Sequence, residues 1–228
     1  MEVSFDDILR DFDRDTRPEG FDLTELKRRD LAELTQAWIS ERMCPELLDY
    51  KEDLLERLLE RIRQQVEFIE MNSIELQTAE KDIKLHLMIV ESELDRVNFL
   101  IRSYLRTRLS KIDKYTVHIR TSEDVVKRLS AEETTYMENH FKALVQLYNS
   151  LFLSQMPEHL QALDDTGGGM SMIEEPDMDS PVFVKMLDDV VDTIYIGDEE
   201  IDLVGGGIYL IRYSAVRSHV LDGRAILI

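Results

Sequence analysis

Residues 95–114 read DRVNFLIRSYLRTRLSKIDK, and their spacing decides what the chain is made of. Val97, Ile101 and Tyr104 prolong an apolar row that begins at Ile83, Leu87, Val90 and Leu94, in steps of three and four residues. That rhythm predicts one long amphipathic helix. Leu105, Leu109 and Ile112 then carry the stripe around the helix. The same stretch is strongly basic. From Arg96 to Arg128 there are nine Lys/Arg against three Asp/Glu, inside a chain of net charge −20, so the remaining residues carry −26. An inversion of that size calls for a counter-charge: nucleic acid, an acidic neighbouring subunit, or the chain's own acidic segments.

On both sides of this stretch the helical rhythm continues, over residues 22–157. A first helix from about Thr24 to Met43 carries Leu26, Leu31, Leu34, Trp38 and Ile39, and Pro45 breaks it. A second carries Leu55, Leu59, Ile62, Val66 and Ile69. A short helix is expected over Glu123–Leu129. Ser130-Ala-Glu-Glu133 is a capping box for a last long helix with Met137, Phe141, Leu144, Tyr148 and Leu151 on its stripe, ending before Pro157. Helices this long carry more apolar surface than one small bundle covers, so partner helices are expected.

Residues 158–180 change character. DDTGGGMSMIEEPDMDSP has no sustained period and reads as an acidic, Gly-rich linker. A phosphate-cradling role for its triple glycine fails, because no strand precedes it and no Lys-Ser/Thr follows. Residues 181–228 then switch to strand chemistry. PVFVKML, VVDTIYI, IDLV, IYLIRY and AILI are separated by GDEE, GGG and a short helix in SAVRSHVLDG. About 48 residues make only a small sheet, which needs a neighbour to be stable. The fold class is therefore mainly α with a small β unit: a long-helix bundle followed by a small strand-rich domain. Residues 1–21 are an acidic tail. Within it Phe5, Ile8, Leu9 and Phe12 fall at i, i+3, i+4 and i+7, the pattern of a short helix, and two readings stay open: a disordered tail, or a peptide that folds on docking in a partner's groove.

Several functions are disfavoured. The start, MEVSFDDILRDFDRD, lacks the basic and apolar regions of a secretory signal, and no run approaches a membrane span. The single cysteine, Cys44, forms no internal disulfide and suits a reducing compartment. None of the five histidines has a carboxylate three residues before it, and zinc, nucleophile-elbow, Walker and kinase signatures are absent. No catalytic, cofactor-binding or metal-ligating residue is expected, and no enzyme.

Three readings of the basic helix stay open on composition alone. Arg102, Arg106, Arg108 and Lys111 could neutralise phosphates as an autonomous DNA-binding module built on the basic helix 96–114. They could pair with acidic residues of adjacent helices or of a partner subunit, which the acidic surroundings favour. Or they could clamp the acidic hinge.

Four blocks carry a family resemblance: AWISERMCPELLDYK at 37–51, IRSYLRTRLSKIDKY at 101–115, EEPDMDSPVFV at 174–184 and YLIRYSAVRSHVLDGRAILI at 209–228. In this order they resemble the Sld-five subunits of the eukaryotic GINS complex, from about Leu23 to Ile228. The resemblance implies a helical A domain followed by a strand-rich B domain. It also implies a place in a heterotetramer with Psf-one, Psf-two and Psf-three. That tetramer joins the MCM hexamer and the Cdc-forty-five protein in the replicative helicase of the nucleus, where this subunit is a non-catalytic scaffold. FDDILRDFD resembles the peptide with which yeast-type members dock on the Ctf-four/And-one hub, with Asp7, Ile8 and Leu9 as anchors. The expected partner-binding set is Asp7, Ile8, Leu9, Arg102, Tyr104, Arg106 and Arg108. The three arginines tie the helix to acidic neighbours, DNA contact is secondary, and Ile101, Tyr104, Leu105, Leu109 and Ile112 pack inward. Segment 116–130 carries no family block and reads as surface helix or loop.

Overall fold

The computed structural model describes residues 23–71, 81–157, 173–187, 192–196 and 199–228. Asp7, Ile8 and Leu9, the rest of the tail and the triple glycine of the linker lie outside the described residues. Helices α1 (Leu23–Met43), α2 (Glu52–Met71) and α3 (Lys81–Lys114) come first. Short helices α4 (Thr116–Thr121) and α5 (Glu123–Val126) follow, then α6 (Ala131–Leu151) and a 3-10 turn at Leu153–Gln155. The C-terminal part runs β1 (Pro181–Met186), β2 (Asp192–Ile196), β3 (Glu199–Leu203), β4 (Ile208–Arg212), α7 (Tyr213–Leu221) and β5 (Ala225–Leu227). The chain is mainly helical with a small strand-rich C-terminal region, as its periodicities predict.

Two compact units divide these elements. One takes residues up to Thr35 together with Glu52–Arg102; the other takes Gln36–Lys51 and Ser103–Ile228. In the first, α1 meets α2 through a buried carboxylate. Asp30 faces Arg57 Nη2 at 3.2 Å through one oxygen and Arg61 through the other. Leu34, Leu54, Leu55 and Leu58 are buried around the same turns.

The second unit holds two apolar clusters. In one, Leu47, Ile112, Ile119 and Met137 pack together, with Leu109, Tyr115 and Leu129 at the margin. Ile119 and Thr116 are buried, so the start of segment 116–130 is interior rather than surface, contrary to its reading from sequence. That segment has no long apolar stripe because only one side of a six-residue helix faces the cluster. The other cluster lies under the sheet. β1 pairs antiparallel with β4 on one side and β5 on the other, while β2 and β3 form a separate hairpin. Val182, Val184 and Met186 of β1 alternate inward, as a half-covered strand requires, and meet Ile211, Val216 and Leu227. Gly223 ends α7 with φ of 73°, which a glycine adopts without strain, and Arg224 N–H returns to the His219 carbonyl at 2.9 Å.

The small sheet finds its neighbour in the connector between α1 and α2. Cys44 belongs to the core under the sheet, with Leu48 packed against it, whereas Leu47 belongs to the helical core. Gln36 Nε2 adds a hydrogen bond of 2.8 Å to the Leu227 carbonyl of β5. Eight residues thus hold the two clusters together.

Candidate functional site

The connector and the basic end of α3 share a seam of buried charge. Arg108 falls on the apolar stripe four residues after Tyr104 and four before Ile112, and is 0% exposed. All five of its N–H groups are used. Nε and Nη2 donate to the two oxygens of Glu133 at 2.8 and 2.9 Å. Nη1 donates to Glu41 at 3.0 Å and to the Leu48 carbonyl at 2.7 Å, and Nη2 also reaches the Arg128 carbonyl at 3.0 Å. The Tyr50 and Tyr104 rings lie 5.2 and 5.8 Å from the guanidinium carbon. Burial alone lowers the affinity of this group for its proton. The Glu133 hydrogen bonds and the Glu41 charge outweigh burial and hold the guanidinium above its ordinary value. The forked geometry suits arginine and would not suit lysine.

Each carboxylate has a second task. Glu133 closes the capping box of α6: its N–H donates to Ser130 Oγ, and its side chain accepts from the Ser130 N–H, both at 3.1 Å. Glu41 also accepts from Lys111 Nζ at 2.7 Å, and Lys111 donates on to the Glu46 carbonyl at 2.7 Å.

Glu46 is the second centre of the seam. Its carboxylate accepts from Tyr213 Oη at 2.6 Å, from Arg217 Nε and Nη2 at 2.7 and 2.9 Å, and from Arg128 Nη1 at 2.9 Å. Three segments far apart in sequence, the connector, the loop before α6 and helix α7, converge on one side chain. Burial raises its pKa, but the hydrogen bonds from Arg217 and Tyr213 outweigh that and hold the carboxyl below its usual range. Burial pushes the Tyr213 hydroxyl up, reinforced by Cys44 and Glu46. Burial likewise pushes the Cys44 thiol up to about 11, so it stays protonated at neutral pH and is a poor nucleophile.

The acidic segment before β1 follows the same surface. Ser214 N–H and Tyr213 N–H donate to the carbonyls of Met178 and Ser180 at 2.8 and 3.0 Å. Met178 and Ser180 are thereby tied to the start of α7. His118 Nδ1 lies 3.9 Å from Glu175.

The predicted residues separate into two groups. Arg102 and Arg106 stand one turn apart on the exposed side of α3, and neither forms an ion pair with another described residue. Tyr104 and Arg108 are interior. Arg108 finds acidic neighbours within its own chain, Glu41 and Glu133. Burial pushes the Tyr104 hydroxyl up to about 12. Reading the sequence missed Glu41, Glu46, Glu133, Arg128, Tyr213 and Arg217. The available signal was a charge on an apolar seam: Glu41 stands seven residues after Leu34 and three after Trp38, and Arg108 seven after Ile101. Among the described residues no group of three His, Cys, Asp or Glu could hold a metal, and no helix is long and apolar enough to cross a membrane.

Comparisons with known proteins identify the family. Residues 49–152 match the family model of the GINS complex protein helical bundle domain. Residues 176–228 match that of the DNA replication complex GINS protein SLD5 C-terminus. The chain is similar to proteins named DNA replication complex GINS protein SLD5 from three yeasts. The Debaryomyces hansenii protein is 39% identical over all of this chain and 99% of its own length. The Saccharomyces cerevisiae protein is 32% identical over the whole of both chains. The Schizosaccharomyces pombe protein is 34% identical over 87% of this chain and 92% of its own. The chain belongs to the SLD5 family of DNA replication complex GINS proteins.

Proposed function

We propose that this chain is a non-catalytic structural subunit of the GINS heterotetramer, assembled with Psf-one, Psf-two and Psf-three. The tetramer joins the MCM hexamer and the Cdc-forty-five protein in the replicative helicase, and acts in the nucleus during initiation and fork elongation. The observation that carries this reading is the apolar surface the chain leaves uncovered on its first unit. Leu59, Val66 and Met71 of α2 and Leu85, Met88, Ile89 and Phe99 of α3 are all exposed, Met71 at 76% and Met88 at 66%. Surface of that kind on regular helices marks protein–protein interfaces. The proposed division is a helical A domain at 22–157, a linker at 158–180 and a B domain at 181–228.

Arg102 and Arg106 then meet acidic residues of a partner subunit, and Asp7, Ile8 and Leu9 anchor the tail on the Ctf-four/And-one hub. Two of the four cations that an autonomous DNA-binding module would use, Arg108 and Lys111, are committed inside the chain, which weighs against that reading. Co-expression tests the proposal. The chain alone should aggregate or stay poorly soluble, and the three other subunits should recover a stoichiometric tetramer. A soluble, folded monomer that ignores those subunits would overturn it.

A further inference from the structure

Strand β4 is the end strand in the order β4-β1-β5, and its far edge is unpaired. Met186 N–H donates to the Gly207 carbonyl at 3.1 Å, and Tyr213 N–H to the Ser180 carbonyl at 3.0 Å. An antiparallel ladder bonds alternate residue pairs, so between these two bonds the bonded pairs are Val184–Tyr209 and Val182–Ile211. The N–H and C=O groups of Ile208 and Leu210 therefore point away from β1, and no other described backbone group bonds them. Their side chains are also bare. Ile208 and Leu210 are each 60% exposed, and Phe183, opposite Leu210, is 48% exposed. This face lies away from the core row Val182–Val184–Met186. Its charged residues are Lys185, between Ile208 and Ile226, and Arg212, opposite Pro181. Neither forms an ion pair with another described residue.

One pair of residues thus offers open backbone groups at an edge and apolar side chains on a face. An extended strand satisfies both at once. A helix bonds its own backbone groups and satisfies only the face. An anionic lipid surface leaves the edge unpaired, and the chain's net charge of −20 opposes its approach. The two unneutralised cations select carboxylates. The size of the site suits a peptide: β4 has five residues, about 17 Å of strand, where a stable subunit interface engages about 20–30 residues a side. On the reading of this chain as a GINS subunit, we propose that an extended segment of a protein outside the tetramer pairs with β4 as a further strand. Its alternate side chains, which share one face, set the recognised pattern. Apolar residues stand beside Ile208 and Leu210, and an Asp or Glu stands beside Arg212, within the field of Lys185.

The test uses the GINS tetramer reconstituted with this full chain, its assembly verified by mass first, so that failed assembly and failed docking are distinct results. A phage library of short random peptides is selected on the tetramer and counter-selected on the tetramer carrying Leu210→Asp. The selected peptides should show two apolar residues at alternate positions, with Asp or Glu at the next alternate position. Labelled with fluorescein and titrated by anisotropy, they should bind Leu210→Asp and Arg212→Glu about tenfold more weakly, and high salt should shrink the second difference. N-methylation of the peptide residues whose N–H groups face β4 should abolish binding, and N-methylation of the residues between them should leave it unchanged. The absence of Leu210-dependent peptides, selected peptides without carboxylates, or binding indifferent to N-methylation overturns the proposal. So does a photo-crosslinker at Leu210 that captures a fellow subunit of the tetramer. Vesicles of phosphatidylcholine and phosphatidylserine that bind the tetramer only while Leu210 is present would overturn it in favour of a lipid surface.

Discussion

The two units solve opposite problems. The first has long helices and few buried side chains, and it leaves Leu59 and Val66 of α2 and Leu85, Met88 and Phe99 of α3 exposed. The second buries two apolar clusters and joins them with charge, through Arg108 and Glu46. Apolar surface left open on regular helices asks for other chains, whereas charge buried with every donor and acceptor matched fixes one arrangement inside this chain. On the proposed reading as a scaffold, the first region recruits and the second holds the C-terminal sheet in place.

Breaking the buried seam should have the largest effect. Arg108→Ala leaves Glu133 buried without its cation and Glu41 with Lys111 alone, and breaking a buried pair in this way costs about 3–5 kcal/mol. Urea unfolding of the assembled tetramer should show that loss, and Arg108→Lys should recover little of it, because a lysine cannot fork. A loss below about 1 kcal/mol would mean the seam is solvated. Glu46→Gln comes next, at roughly 2–3 kcal/mol, because it leaves Arg128 and Arg217 bonded to a neutral acceptor. Its signature is local: faster proteolysis between α6 and β1, with α2 unchanged.

Acid should sharpen the same contrast. The carboxyl of Glu46 is held below its ordinary 4.5 in the folded chain, so its contribution is fully present above that value and is lost as pH falls through the lower folded value. Below about pH 4.5 the native chain should lose stability more steeply than Glu46→Gln, as read from urea midpoints between pH 7 and 3. Parallel curves would remove Glu46 from the account.

The smallest effect on folding belongs to the exposed side of α3. Arg106→Glu should change stability by no more than about 0.5 kcal/mol, as surface substitutions do. It should nevertheless weaken tetramer assembly measured by sedimentation; unchanged assembly would free Arg106 from any role at an interface.

The elements themselves were legible because their signals are local. The stripe from Ile83 to Tyr104, the capping box at Ser130 and the alternation in PVFVKM each report on their own segment. The site was legible only as an anomaly, a run of cations in an acidic chain. Which cations point inward depends on where the stripe rotates, and Arg108 sits where Leu105, Leu109 and Ile112 turn it. Glu46 could not be found from its neighbours. Its partners lie 82, 167 and 171 residues away, and no periodicity spans such distances. The short helix α4 was read as surface for the same reason, since its two buried residues become interior only when Leu47 and Met137 arrive from elsewhere.

The central claim is that one carboxylate on the connector fastens the C-terminal sheet unit. A double-mutant cycle on the assembled tetramer, combining Glu46→Gln with Arg217→Gln, measures that fastening directly by urea unfolding. The bidentate pair across 171 residues should give a coupling energy of about 1–2 kcal/mol. Additive losses, with a coupling within about 0.3 kcal/mol of zero, would show that α7 is held by its apolar core alone and would contradict the claim.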